Sequence, residues 1–343
     1  MRFDPPLRIA AAELWLPDGC ETVIDAVTDA RIEPARAASN GYVQLTVSDI
    51  PPPAMAVRAG AGALERAGFG PEEVGLLIHA WTYYQGQDYW EPVHHIMNEL
   101  AVYAATPLGV SLGCNGGFAA VEVAASRMVT GEARTALVTT AERFCPPRFD
   151  RWASNLDVCY GDSGTALLLQ CTPTTGERGP FELLSMASVT DPRLEGMYRG
   201  SAPWNAAPFE HAETVDIRTQ IRAFMAAGHG PAFGGVVTRS VQRVVRSALD
   251  QAGLAADDPR IRVIAPPRFG AEVILHSYTE VLAGMTKADI VNLGRGTGHL
   301  GAGDMAANLA DLDAAGTLEP GQVALMLSAT AGFTWSAMVV RRM

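Results

Sequence analysis

Cys114 lies in the run Gly113-Cys114-Asn115-Gly116-Gly117-Phe118, behind the apolar stretch Leu108–Gly113 and ahead of a helical pattern over Phe118–Thr130. A cysteine at a strand-to-helix turn can be a nucleophile. The helix start offers unpaired N–H groups and a partial positive charge, which favour a thiolate. Flanking glycines let a substrate approach the backbone closely. Position alone leaves an inert core cysteine as an equal alternative. A second candidate is His299, in Gly296-Thr-Gly-His299-Leu-Gly-Ala-Gly-Asp304. A thiol facing an imidazole is the arrangement that generates a thiolate nucleophile. Asp304 stands in the following turn, where it can orient the imidazole or stabilise its cation. Its plain alternative is a first-turn carboxylate favoured by the helix dipole.

What would bring these residues together is a duplication. Ala63-Leu-Glu-Arg-Ala-Gly-Phe69, an acidic turn and the apolar run Val74–His79 read like Ala248-Leu-Asp-Gln-Ala-Gly-Leu254, an acidic turn and Ile261–Ala265. Each is a helix with a glycine C-cap, a turn and a buried strand. The offset is 185 residues, Leu64 to Leu249, and the same offset carries Cys114 onto His299. A repeat this long is a duplicated domain rather than a solenoid.

The offset continues through Leu108–Gly113 and Ile290–Gly294, each a strand entering a glycine-rich turn and a helix, the second helix running from Ala302 to Leu312. Each half closes as strand, turn, strand: Ala136–Thr140 with Ala166–Leu169, and Val323–Leu327 with Ser336–Val340. Alternating strands and helices imply mostly parallel sheets covered by helices. The expected halves are 1–175, with the nucleophile, and 176–343, with the His/Asp turn. Residues 191–234, rich in Pro, Gly and aromatics, read as an insertion at the mouth of a site.

Composition narrows the function. The chain has 343 residues, 48% apolar and 18% charged, an ordinary balance for a folded protein. A net charge of −11 argues against binding nucleic acid as the main task. The N-terminus lacks the basic start and long apolar core of a signal peptide, and no stretch reads as a membrane span. The five cysteines, Cys20, Cys114, Cys145, Cys159 and Cys171, form no CxxC pair. Reduced thiols, a cytoplasmic location and no metal site are the expectation.

Three motifs then resemble the ketoacyl synthase III family of the thiolase superfamily. They are Ser111-Leu-Gly-Cys114-Asn-Gly-Gly-Phe118, Tyr160-Gly-Asp-Ser-Gly-Thr-Ala166 and Thr330-Ala-Gly-Phe-Thr-Trp-Ser336. The resemblance covers nearly the whole chain. It implies a duplicated five-layered αβαβα fold, a homodimer, and an oxyanion hole from the backbone N–H groups of Cys114 and Ala331. Condensing members carry His-Gln-Ala-Asn after the strand matched by Ile261–Ala265. Here Pro266-Pro267-Arg268-Phe269 follows, and Gly298-His299 stands where those members have Gly-Asn. Proline donates no hydrogen bond, so the decarboxylating step is expected to be disabled.

The pattern is similar to the acyltransferase branch of natural-product pathways, of the cervimycin malonyl-transferring type. It implies an acyl group, possibly malonyl, passed from a coenzyme A or acyl-carrier-protein thioester through acyl-Cys114 to a hydroxyl acceptor such as a sugar. The thioester is a co-substrate, and no tightly bound cofactor is expected. Arg239, Arg243 and Arg246 share one helix face and, with Arg151, are candidates to hold coenzyme A phosphates or an acidic carrier. A solvated helix face is the bland reading of that stripe. Arg268 is the candidate cation for a malonyl carboxylate. Carrier-to-carrier transfer of a starter unit, decarboxylating condensation and a non-catalytic scaffold stay open.

Overall fold

Strands buried on both faces carry apolar runs without alternation, and this chain has several. The computed structural model describes residues 2–171, 179–201, 203–210 and 212–343. Besides a small antiparallel pair, Gly19–Thr22 with Gln44–Val47, the first half gives five strands to the main sheet: β1 (Arg2–Trp15), β2 (Leu76–Ala80), β3 (Thr106–Val110), β4 (Thr135–Glu142) and β5 (Ser163–Cys171). Five follow in the second: β6 (Phe181–Thr190), β7 (Ile261–Ala265), β8 (Asp289–Ile290), β9 (Val323–Thr330) and β10 (Thr334–Arg342). Every residue of β2, β4 and β9 is buried.

These ten strands form one sheet in the order β8-β7-β9-β10-β6-β1-β5-β4-β2-β3. Outward from the central pair, each half reads first, fifth, fourth, second, third strand. The pairing sense repeats too. The first half has parallel β2–β3 and β2–β4, then antiparallel β4–β5 and β1–β5. The second has parallel β7–β8 and β7–β9, then antiparallel β9–β10 and β6–β10. Antiparallel pairing of β1 with β6 joins them. The expected junction near residue 175 lies outside the described residues.

Helices complete the layers. The helix α1 (Pro52–Ala67) covers one outer face of the first half, packing Met55, Ala59 and Ala63 against Leu137 and Leu168. The helix α2 (Gly116–Val129) follows Cys114, and α3 (Gly230–Ala252) starts at the end of the 191–234 region. α3 covers the second half's outer face through Val241, Val245 and Leu249. α4 (Asp304–Ala314) joins α2 in a central layer, where Phe118, Val121, Met305 and Leu309 meet strands of both halves. The order α1, sheet, α2 with α4, sheet, α3 is the thiolase-like five-layered arrangement. Because α2 and α4 pack together at the centre, the turns leading into them meet.

Candidate active site

The Cys114 turn is held by the hairpin of the other half. Gly113 has φ +54°, and a Cβ there would lie 2.4 Å from Thr330 Oγ1. That left-handed conformation and that close approach both favour glycine. Asn115, at the start of α2, donates from Nδ2 to Ser336 Oγ at 3.1 Å, and Ser328 Oγ donates to the Cys114 carbonyl at 3.4 Å. Cys114 is therefore pinned to β9 and β10, and its side chain is half-buried. Ala331 opens the turn after β9 and lines the same cavity as Cys114.

The His299 turn is tied down as firmly. His299 N donates to Cys159 O at 2.8 Å, and Gly161 N donates to His299 O at 3.0 Å. A Cβ on Gly161 would meet Thr297 O at 1.8 Å, so glycine lets the two turns touch. The ring lies 5.3 Å from that of Tyr160 and 5.1 Å, edge-on, from that of Phe269. His299 Nδ1 sits 2.6 Å from Asp304 Oδ2, and both side chains are buried. Asp304 also accepts from Leu300 N and from Arg268 N, each at 2.7 Å. It is the first residue of α4, so the helix start adds to its stabilisation as an anion.

His299 Nε2 is buried and has no partner in hydrogen-bond geometry, although the Cys114 sulfur is near enough to act on it electrostatically. Burial favours the neutral ring, but the Asp304 charge, the Cys114 charge and the hydrogen bond to Asp304 outweigh it and push the imidazole up to about 10. Asp304 on one nitrogen and a thiol near the other is the geometry of an oriented base beside a nucleophile.

Cys114 and His299 open into a cavity of about 350 Å³, also lined by Ala331 and by Tyr160, Phe269 and Phe333. The 191–234 region contributes Met197, Tyr198, Ile221, Met225 and Phe233 to its wall, as an insertion at the site's mouth should. Asn155 lines it too, donating from Nδ2 to Tyr160 Oη at 3.0 Å. The sequence offered no pointer to Asn155, which lies in no repeat and no recognisable motif, and pointed to Tyr198 only as one aromatic of the 191–234 region.

The arginines fall differently. Arg268 is buried but does not line the cavity. Its guanidinium donates to Asn308 Oδ1 and Thr297 Oγ1, each at 2.9 Å, and to Asp311 Oδ2 at 2.5 Å. It ties β7 to α4 and is no acyl-pocket cation. Arg151 is likewise buried, paired with both oxygens of Asp162 at 3.0 and 3.1 Å, and is out of reach of a carrier. Removing one partner of such a buried pair is costly, which marks both as structural. Arg239, Arg243 and Arg246 are exposed on α3, as a docking stripe requires. Arg239 also lines a separate hollow of about 720 Å³ between α3 and the 191–234 region. The aromatic loop Trp81–Trp90 borders its own shallow pocket, away from Cys114.

Known proteins share this architecture. Residues 108–191 match the family described as 3-oxoacyl-[acyl-carrier-protein (ACP)] synthase III, and residues 249–342 match that family's C-terminal part, together just over half of the chain. A β-ketoacyl-[acyl-carrier-protein] synthase III of Rhodospirillum rubrum is 27% identical over 289 residues, covering 84% of this chain and 83% of the relative. Among solved structures, ChlB3, described as an acyltransferase, superposes with a TM-score of 0.88 at 29% identity, covering 99% of this chain and 98% of its own. The priming β-ketosynthase from the R1128 polyketide pathway shares the fold, with a TM-score of 0.78 at 19% identity over 98% and 96% of the two chains. With its mirrored half-sheets and with both family matches falling on the segments that carry Cys114 and His299, the chain belongs to the 3-oxoacyl-[acyl-carrier-protein] synthase III-like family of the thiolase superfamily.

Proposed function

We propose that this protein is an acyltransferase that takes an acyl group from a coenzyme A or carrier-protein thioester onto Cys114 and passes it to a hydroxyl acceptor, such as a sugar or another natural-product intermediate. One observation carries the reading. A buried His299–Asp304 pair presents an unsatisfied Nε2 to the cavity that Cys114 shares.

In the first half-reaction the Cys114 thiolate attacks the donor's carbonyl carbon. The backbone N–H groups of Cys114 and Ala331 receive the oxyanion, and the C–S bond to the donor breaks. The departing thiolate takes its proton from the His299 imidazolium. Acylation also removes the Cys114 charge, one of the causes that raise the imidazole, and so moves His299 in the direction of a base, with Asp304 still orienting it. In the second half-reaction the acceptor hydroxyl gives its proton to His299 Nε2 as its oxygen attacks the acyl carbon. Collapse restores the Cys114 thiolate and the imidazolium. General-base help of this kind is worth ~10²–10⁴-fold.

Transfer is favoured over decarboxylating condensation because Phe269 packs edge-on against His299, on the segment where condensing relatives are expected to carry a donor histidine. A homodimer and a role in secondary metabolism, of the cervimycin kind or another, belong to the same proposal. The test is intact-protein mass spectrometry after incubation with acyl thioesters, followed by addition of hydroxyl acceptors. The wild type should gain one acyl mass and lose it to an acceptor. Cys114→Ala should gain none, and His299→Ala should hold its label at least ~10²-fold longer. Release of carbon dioxide from malonyl thioesters with a C–C bonded product would overturn the reading in favour of condensation.

A further inference from the structure

Beside His299 the wall of the cavity carries a phenol that the mechanism above does not use. Tyr160 is fixed to the His299 turn through its backbone: Gly161 N donates to His299 O at 3.0 Å, and His299 N donates to Cys159 O at 2.8 Å. Its ring packs 4.7 Å from that of Phe144, 5.0 Å from that of Phe149 and 5.3 Å from the imidazole. The phenol therefore stays at the imidazole's side. Its oxygen accepts from Asn155 Nδ2 at 3.0 Å, and Asn155 is itself held, because its Oδ1 accepts from Leu156 N at 2.7 Å. Both side chains are buried and both line the cavity.

A phenol has one hydrogen to donate besides its acceptor capacity. Asn155 occupies the acceptor side, and among the described residues the Tyr160 hydroxyl has no acceptor of its own. A buried donor without a partner is costly, so this hydrogen is available to a ligand. Tyr198 brings a second hydroxyl to the same wall, near enough to act on Tyr160 electrostatically. Burial first, then the Cys114 charge, holds Tyr160 well above the ordinary phenol range, so it donates and does not serve as a base.

Its side of the site decides what it meets. The proposed oxyanion donors, Cys114 N and Ala331 N, belong to the Cys114 turn and to the turn after β9. Tyr160 belongs to the base's side, where the acceptor enters. The reacting hydroxyl gives its own proton to His299 Nε2, so the phenol is left to meet another oxygen of the same acceptor. With the two rings this close, the two oxygens they serve must also be close, as on adjacent carbons.

We propose that Tyr160, oriented by Asn155, determines acceptor specificity by donating its hydroxyl hydrogen to the oxygen next to the reacting hydroxyl, so that the acceptor is a vicinal diol. The inference rests on the acyl-Cys114 reading above and names its acceptor class. Tyr160 keeps its proton throughout, and the bonds made and broken are those already described. A site that hydrogen-bonds one substrate oxygen rejects the analogue that lacks it.

The experiment uses the full chain, acylated on Cys114 by a pantetheine thioester and freed of excess donor. Label loss is then followed by intact-protein mass spectrometry in the presence of cyclohexanol or of a cyclohexane diol with adjacent hydroxyls, cis or trans. The wild type should discharge to at least one diol at least tenfold faster than to cyclohexanol. Tyr160→Phe keeps the ring and its packing, and should slow discharge to the diol at least tenfold more than it slows discharge to cyclohexanol or the initial acylation. Asn155→Ala should lose part of the diol preference, because the hydroxyl is no longer oriented. A wild type that discharges to neither diol faster than to cyclohexanol overturns this inference alone, as does an equal loss for both acceptors in Tyr160→Phe. Failure of every donor to label Cys114 overturns the acyl-Cys114 reading with it.

Discussion

His299 carries a cost and a gain that pH separates. Its imidazole is held near 10 in the fold against an ordinary 6.5, despite burial, by Asp304 and then by Cys114. The stabilisation this brings is fully present below pH 6.5 and fades as pH climbs through about 10. Its scale follows from the shift and is on the order of 3–5 kcal/mol. The urea midpoint of the wild type should therefore fall between pH 6.5 and 9.5 by more than that of His299→Gln, which has no proton to lose there. Parallel slopes for the two proteins would mean that Asp304 does not hold a cation. At this scale the sequence was legible where chemistry is local. Cys114, His299 and Asp304 each sit in a glycine-rich turn, and the repeat offset aligns the thiol with the imidazole. It was illegible where a role depends on what faces a side chain. Arg268 and Arg151 read as free cations, yet Asp311, Asn308 and Asp162 claim them from segments no spacing rule connects. Asn155 entered the site the same way, through tertiary placement alone.

Between elements, the decisive contact is that of the Cys114 turn with the β9–β10 hairpin. Gly113 approaches Thr330 so closely that Gly113→Ala must either rotate the Thr330 hydroxyl or push the two turns apart, and it must also hold alanine at φ +54°. The left-handed region alone costs a non-glycine residue roughly 1–2 kcal/mol. We expect Gly113→Ala to fold but to acylate Cys114 at least tenfold more slowly, because the two proposed oxyanion donors, Cys114 N and Ala331 N, lie on the turns that would separate. Adding Thr330→Ala removes the clash but not the strain, so it should recover part of the rate in the mass-gain assay. No recovery would place the whole defect in the backbone of Gly113. The elements themselves were readable where a helix ends in glycine and an acidic turn leads into an apolar run, as at Ala63–His79 and Ala248–Ala265. The sequence reading passed over the central pair β1 and β6. β1 combines Pro5-Pro6 with an alanine run, and its alternation is confined to Leu7-Arg8-Ile9, after which Ala10, Ala11 and Ala12 are all buried. β8 shrinks to two residues, Asp289 and Ile290, where a longer strand to Gly294 was expected.

Across the whole molecule, a chain of net charge −11 still gathers arginines on one face. Arg239 and Arg243 are exposed on α3 and border a hollow together with Arg193 of the 191–234 region, which also walls the Cys114 cavity. Arg193 is held by Asp191 at 2.5 Å, so Arg239 and Arg243 are the freer charges there. An acidic carrier protein delivering its thioester to Cys114 would meet this face, whereas a short pantetheine thioester would need no docking. Such attraction acts over a Debye length, about 8 Å at physiological ionic strength and roughly 3 Å at 1 M salt. The double reversal Arg239→Glu with Arg243→Glu should therefore raise KM for a carrier-borne donor at least tenfold more than KM for the matching pantetheine thioester. The gap should close at 1 M salt, and Arg246→Glu, farther along α3, should have a smaller effect. Equal KM changes for both donors would reduce the stripe to a solvated helix face, and would point to coenzyme A rather than a carrier protein as the donor.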